Sequence, residues 1–337
     1  MAKRDKKNAV LGMDLGTQSI KTVEMLRKGE DLAMASCSCV PVEDASAYGD
    51  AVKAAIRSAS AGAKRVVVGF GGKSTTLQLI TLTNEQLGDI DKAVAEEAEK
   101  YIPYDISEAQ LDYHVFEISG DKQTRVLLAA VRQQDIEDRL DILFGAGITP
   151  VQIDVEVVAL ANALETANLD WAMAKKGKAA GMVNFGASKT LIAISDGANH
   201  VFREFPVGGI ALTEMVSQRL GCDMAEAERL KLSPGAEIDK VKDAIYPGLE
   251  DMATEIRSCL DAFKSAADGR EAEKLFLSGG LLGFPGVASL FNRMTKIETD
   301  IFASFGPVDV SKADADIVED HGHELAVAFG LACHARD

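Results

Sequence analysis

The stretch "LGMDLGTQSIKTVEMLRKGED", Leu11 to Asp31, sets the reading of this chain. From Ala9 to Met25 apolar residues recur largely at alternate positions on either side of "GTQS", the pattern of a β-hairpin. A later stretch, "GMVNFGASKTLIAISDGANHVFREFPVGG", repeats it when aligned on its glycine: Asn184, Gly186, Ala187 and Ser188 take the places of Asp14, Gly16, Thr17 and Gln18. The interval from Asp14 to Asn184 is 170 residues, too long for a solenoid repeat but suited to two related lobes.

The bulk numbers agree with two lobes. At 337 residues the chain exceeds the roughly 250 to 300 at which one core stops growing. Its formal charge is -16, from 52 acidic and 36 basic residues, and a field of that sign repels phosphate backbones and anionic lipid surfaces. Nucleic acid is therefore excluded as an expected partner, the short basic start "KRDKK" reading as a solvated terminus. Five scattered cysteines fit reduced thiols in a cytosol rather than a disulfide framework. Cys37 and Cys39 fall on one strand face with no further ligands in reach, and His321 and His323 of "HGH" are likewise short of ligands, so no metal is expected at either. No uninterrupted apolar run approaches the roughly 20 residues that span a bilayer, so no membrane insertion is expected.

Along the chain, the hairpin is followed by a helix in "YGDAVKAAIRSAS" and a strand in "KRVVVGF", the order of an α/β lobe. A new unit begins near Thr75: a strand in "TTLQLITL", a helix in "IDKAVAEEAEKYI" stopped by Pro103, strands in "LDYHVFEI" and "TRVLLAAV", and a helix in "DIEDRLDILFGAG" closed by Gly145 and Gly147. In its first helix Ile90, Val94, Ala98 and Tyr101 share a face, which predicts that the helix packs rather than stands free. The chain then returns to the first lobe through "PVQIDVEVVALANALETA", a strand running into a helix, and the polar "AMAKKGKAA" marks a lobe boundary. The expected division is 1–75 with 148–178 for the first lobe, 76–147 for the insert and 179–337 for the second lobe, helical over about 210–270.

Two phosphate motifs fail. "GFGGKSTT" contains Gly-Lys-Ser, but the P-loop glycine five positions earlier is Val67, and Gly69-x-Gly71 lacks the third glycine of the dinucleotide fingerprint. What remains is the pair of glycine turns, whose successive amides form an anion-binding concavity, with Thr17, Ser19 and Ser188 adding hydroxyl donors. Asp14 would hold magnesium through water, since that cation keeps its hydration and takes one or two carboxylates beside phosphate oxygens. Lys21, on the outgoing strand, and Lys189 in the second turn complete the phosphate set as point charges. Two ordinary hairpins are the alternative for either alone. In "FLSGG", a strand end before a helix, Gly279 and Gly280 lack side chains, so that a flat base would lie against backbone. In "EAERLK", Glu228 and Lys231 lie three apart on one helical face, where they would meet a ribose or form a plain salt bridge.

In this order the pieces resemble the actin-like ATPase superfamily, which includes actin, heat-shock chaperones, sugar kinases and the division protein FtsA. The two phosphate hairpins, "LSGG", "QIDVEVVALANAL" and the final "AVAFGLACH" carry that resemblance over both lobes. It implies an α/β actin-like ATPase fold, two lobes of the ribonuclease-H-like type, with a small inserted α+β subdomain and ATP with Mg2+ between the lobes. The insert, with "EKYIPY" and "GITPVQID", is similar to that of the type IV pilus assembly protein PilM family, from about Leu11 to Ala332. That resemblance implies a cytoplasmic adaptor, peripheral to the inner membrane, with a cleft beside the insert for the N-terminal tail of a PilN-type membrane protein. It also implies other platform proteins and motor ATPases as neighbours, and a homo-oligomer.

One departure stands out. The second hairpin of the family usually reads Asp-Ile-Gly, and here it is Asn184-Phe185-Gly186. An amide keeps hydrogen-bonding capacity but loses a charge that helps hold hydrated magnesium, so the expectation is ATP binding with weak or absent hydrolysis. Asp154, at the end of the connecting strand, is the candidate to orient an attacking water, or else a helix cap. Three other functions compete with this one. An FtsA-like filament would carry a membrane-tethering helix after a linker, whereas this chain stops at Asp337 directly after its closing helix. A sugar-kinase phosphotransferase needs an acceptor pocket and a base, for which no segment is set aside. A type II secretion platform protein continues into a transmembrane helix.

Overall fold

The computed structural model describes residues 9–29, 31–59, 63, 65–83, 85–116, 123–167, 179–303 and 305–333. The basic start and most of the polar connection read as a lobe boundary lie outside the described residues. The chain divides into one unit of Met1–Gly69 with Pro150–Asp337 and another of Phe70–Thr149.

The first unit opens with β1 (Ala9–Leu15), β2 (Ser19–Lys28) and β3 (Asp31–Pro41) as an antiparallel meander. The β1–β2 register pairs Asp14 with Lys21 and Leu15 with Ile20, leaving Gly16, Thr17 and Gln18 as the turn. Helix α1 (Tyr48–Ser58) follows, and its Tyr48 hydroxyl donates to the Leu15 carbonyl at 2.8 Å, anchoring the strand just before the turn. Strand β4 (Arg65–Phe70) then runs parallel to β1. Every residue of β1 is buried, as befits a central strand covered on both faces.

The second unit is an antiparallel sheet with its own small core. Strand β5 (Thr75–Thr83), helix α2 (Ile90–Ala98), strands β6 (Ala109–Val115) and β7 (Gln123–Arg132), and helix α3 (Gln133–Gly145) follow in order, with β7 central in the sheet. Ile80, Leu82, Ala93, Val94, Ala98, Val126 and Leu128 are buried together, and Ile90 packs against them. Tyr101 corrects the helical reading: it is 44% exposed. The helix ends at Ala98, three residues earlier, so the 3.6-residue period no longer aims Tyr101 inward. Tyr104 is the anchored tyrosine instead, donating to the Ser74 carbonyl at 2.9 Å beneath the Arg132 guanidinium, 4.7 Å from its ring.

Back in the first unit, β8 (Gln152–Val155) completes a sheet of order β3-β2-β1-β4-β8 and runs into α4 (Glu156–Ala167). Strands β9 (Ala179–Phe185), β10 (Thr190–Ser195) and β11 (His200–Phe205) form a second antiparallel meander. Helices α5 (Gly209–Leu220), α6 (Met224–Leu232) and α7 (Ile238–Ala266) come next. Strand β12 (Ala272–Ser278) lies parallel to β9, and after α8 (Val287–Thr295) strand β13 (Glu298–Ile301) lies parallel to β12. The order β11-β10-β9-β12-β13 matches the first sheet position for position, so the repeat read from the hairpins extends to whole sheets. The glycine pair of "LSGG" is followed not directly by a helix but by a 3₁₀ turn, Gly280–Gly283.

Two helices close the unit, α9 (Ala315–His321) and α10 (Ala326–Ala332), the latter buried at every residue. Helix α4 packs on α10 and also on β10, so it touches the elements of both sheets. The apolar side of α7, from Val241 through Ile245, Leu249, Met252 and Ile256 to Phe263, joins the core of the second sheet, at the helical spacing that keeps one stripe inward.

Candidate functional site

The two glycine turns meet. Thr17 Oγ1 and Ser188 Oγ, 171 residues apart in sequence, lie 3.1 Å from one another and share a hydrogen bond. Both turns are built alike. A Cβ on Gly16 would lie 2.7 Å from the Ser19 carbonyl oxygen, and one on Gly186 would lie 2.8 Å from that of Lys189. Each glycine is thus demanded by the carbonyl three residues on, which folds back across it. The Gly186 amide donates to that Lys189 carbonyl at 2.9 Å, so it closes its own turn rather than pointing at a ligand.

Behind the second turn, the Gly209 amide donates to the Gly186 carbonyl at 2.9 Å and the Ile210 amide to the Ala187 carbonyl at 2.8 Å. Helix α5 therefore caps its first turn with hairpin carbonyls, satisfying donors that a helix start otherwise leaves open. Gly208 allows this approach: a Cβ there would lie 2.5 Å from the Ala187 oxygen. "PVGG" was legible as a glycine pair, but nothing in its spacing tied it to a turn twenty residues earlier.

The charged residues form two pairs. Asp14, buried at the end of β1, accepts from Lys21 Nζ at 3.4 Å across the ladder. Burial pulls the Lys21 ammonium down, but Asp14, Glu324 and Cys39 together pull it up further, so it ends above the ordinary lysine range. On the other turn, Lys189 Nζ contacts Glu156 Oε2 at 2.7 Å and Glu204 Oε2 at 3.3 Å. Burial again works against this ammonium, and the two carboxylates outweigh it. Glu156 is buried at the first position of α4, and burial, with Asp14 adding, raises its carboxyl above the usual range despite Lys189.

Sequence reasoning missed Glu156. It stands two residues beyond Asp154, the residue singled out, and the short β8 gave no signal of which carboxylate turns inward. Asp154 Oδ1 accepts from the Val155 amide at 2.7 Å. Asn184 uses its amide oxygen to accept from Ser278 Oγ at 3.1 Å, its partner across the β9–β12 ladder.

The remaining predicted residues have local partners. Gly279 has φ 97° and a Cβ there would lie 2.3 Å from the Phe185 carbonyl oxygen, so backbone packing alone requires it; its amide donates to the His323 carbonyl at 2.8 Å. Gly280 faces Glu324, whose Oε2 would sit 3.7 Å from an added Cβ. Gln18 offers its carbonyl to the Val42 amide at 2.8 Å. Lys231 forms the salt bridge: its ammonium donates to Glu228 Oε2 at 2.6 Å, the Gly209 carbonyl at 3.0 Å and Thr213 Oγ1 at 2.7 Å. Thr213 in turn donates to Glu228. Burial holds the Lys231 ammonium below the ordinary lysine range despite Glu228.

The fold also corrects the reading that Cys39 and His321 lack companions. Ligand atoms of Cys39, His321 and Glu324 lie within 4.8 Å of one another, and Cys39 is the ladder partner of Lys21. No such group of three involves Asp14 among the described residues.

Two sheets of one strand order, joined by α4 and facing each other through paired glycine turns, define an actin-like ATPase fold. The ethanolamine utilization protein EutJ from Carboxydothermus hydrogenoformans shares it, with 15% identity, 96% of this chain and 89% of that one covered and a TM-score of 0.55. The profile of the type IV pilus assembly protein PilM family matches residues 12–336, and the chain belongs to that family. It is also similar to a chain of the PilM-PilN type IV pilus biogenesis complex, at 25% identity over 99% of this chain and 100% of that one, with a TM-score of 0.83. Among the described residues no helix is long and apolar enough to cross a membrane.

Proposed function

We propose that this protein is a cytoplasmic, actin-like adaptor of a type IV pilus or related secretion platform. It holds an adenine nucleotide between its glycine turns and binds the N-terminal tail of a PilN-type inner-membrane protein, which keeps it at the membrane. The observation that carries this reading is family membership along residues 12–336 joined to the direct approach of Thr17 to Ser188. Likeness to a chain of the PilM-PilN complex over the full length of both supports the partner. Other platform proteins, motor ATPases and further copies of this chain are the neighbours such an adaptor would meet.

For the nucleotide, the residues fit an anion better than a metal. Thr17, Ser19 and Ser188 supply hydroxyls, and Lys21 and Lys189 supply ammonium groups; Ala187, Gly279 and Gly280 keep the surroundings small. Glu228 and Lys231 remain the candidates for the ribose, and ATP the candidate ligand. Magnesium would meet Asp14 through its water, but Lys21 already pairs with that carboxylate and Asn184 brings no charge. Hydrolysis is accordingly expected to be slow or absent, with Asp154 and Glu156 the candidates to orient a water.

Titrating a synthetic peptide of a PilN-type cytoplasmic tail into the purified protein tests the adaptor role. Saturable 1:1 binding, with or without ATP, is expected; a flat titration under both conditions removes the reading.

A further inference from the structure

We infer that Cys39, His321 and Glu324 form a zinc-type metal site, separate from the glycine turns, that ties the first sheet to the closing helices. It goes beyond the nucleotide reading and does not depend on it.

Three residues of unlike chemistry are brought together from opposite ends of the chain. Cys39 stands near the end of β3, while His321 ends α9 and Glu324 lies in the connection to α10. A ligand atom from each lies within 4.8 Å of the other two. The set offers a thiol sulfur, an imidazole nitrogen and a carboxylate oxygen, the three kinds of donor that zinc takes. Magnesium and calcium prefer oxygen alone, so the sulfur and nitrogen point to a softer cation. His321 Nδ1 and Glu324 Oε1 already share a hydrogen bond of 2.9 Å. Metal bonds of about 2.0 to 2.1 Å at a tetrahedral angle would put two such atoms roughly 3.3 Å apart, so a small opening turns this hydrogen bond into a chelate.

The ligand-bearing segments are held by other contacts as well. Helix α9 packs on β3, and the His323 carbonyl accepts from the Gly279 amide at 2.8 Å, fixing the connection between the two ligands it carries. The ladders register Asp14 with Lys21 and Lys21 with Cys39, so these three side chains line up on one sheet face. Two strand spacings of about 4.8 Å put Cys39 roughly 10 Å from Asp14, too far for the two to share one ion. Lys21 brings a positive charge beside Cys39, but it pairs with Asp14 at 3.4 Å, so that a Cys39 thiolate and Glu324 leave two negative charges for a divalent cation. Burial and Glu324 hold the Cys39 thiol up at about 11, and the cation would displace that proton on binding. The His321 side chain is 41% exposed and that of Glu324 19%, so the site opens to solvent and a water completes a fourth position.

The probe is cobalt, which takes the ligands of zinc and reports a bound thiolate by a near-ultraviolet charge-transfer band. Cobalt is titrated into the purified protein after treatment with a chelator and its removal. Saturation at one equivalent with that band, bleached when zinc is added, is expected. Cys39→Ala, checked for folding by thermal melting, should lose the band, and Cys222→Ala, at a half-buried thiol elsewhere, should keep it. His321→Gln, at a partly exposed position, serves if Cys39→Ala does not fold, and should weaken cobalt binding by at least about tenfold. A band that survives in Cys39→Ala, or unchanged affinity in His321→Gln, overturns the inference. Cobalt bound to the wild type without the band is an adventitious ion only, and that result, like no binding at all, overturns it too.

Discussion

Replacing Gly330 by alanine is expected to remove about 3 kcal/mol or more of folding stability, a large share of the roughly 5 to 15 kcal/mol that an ordinary domain has. A Cβ at Gly330 would lie 1.7 Å from the Ala159 carbonyl oxygen and 2.5 Å from its carbon. Both atoms are backbone of α4, which also packs on β10, so the clash cannot be relieved by rotating a side chain. Helix α10 is equally tight against the first sheet, where a Cβ on Gly12 would lie 2.1 Å from the Ala328 carbonyl oxygen. The run of alanine and glycine in "AVAFGLA" is what two such backbone approaches require, because larger residues at the seams would hold the helices apart. Gly49→Ala, in the first turn of α1 with nothing within 4 Å of the added atom, is the control, and should be neutral or stabilising by up to about 1 kcal/mol. Urea unfolding of the three proteins checks both statements; equal midpoints for Gly330→Ala and wild type would mean that α4 and α10 are not packed this way.

The hairpins were legible because period-two alternation interrupted by a glycine turn is a local signal, and the repeat of that signal 170 residues later disclosed the paired sheets. The same logic located Lys231 with Glu228, since three-residue spacing on a helix puts two side chains together regardless of tertiary context. Three features were not legible. Tyr101 lay beyond a helix end that only the cap geometry reveals, so a face drawn through Ala98 carried one position too far. Glu156 and Lys189 are distant in sequence and each is unremarkable alone; their pairing exists only once β10 and the start of α4 come together. Cys39 and His321 each lack ligands in their own stretch of sequence, and the fold supplies them from a segment some 280 residues away (39 to 321). In the last two cases the missing information was a distance between segments, which alternation and spacing do not encode.

Lys231 should prove more important for folding than for nucleotide affinity. Its side chain is 3% exposed and its ammonium spends its three donors on Glu228, Thr213 and the Gly209 carbonyl, joining α6 to the first turn of α5. Lys231→Ala would leave Glu228 without its counter-charge and the Gly209 oxygen without that donor, and breaking a buried pair from one side costs about 3 to 5 kcal/mol. Glu228 is partly exposed and can be hydrated, so the lower end, about 3 kcal/mol, is expected. The double variant Lys231→Met/Glu228→Gln removes both charges and should recover part of the loss, which a double-mutant cycle in urea would measure. The pH dependence gives a second handle. A lysine whose folded pKa lies below its unfolded one is more readily deprotonated in the native state, so this group's contribution makes stability rise as pH climbs toward the ordinary lysine range, and Lys231→Met should lose that slope. If the pair instead serves mainly to grip a ribose, Lys231→Met would fold with wild-type stability and lose ATP affinity about tenfold. The saturation of all three donors within the protein argues for the first outcome, because a ribose hydroxyl could be gained only by giving up a partner already held.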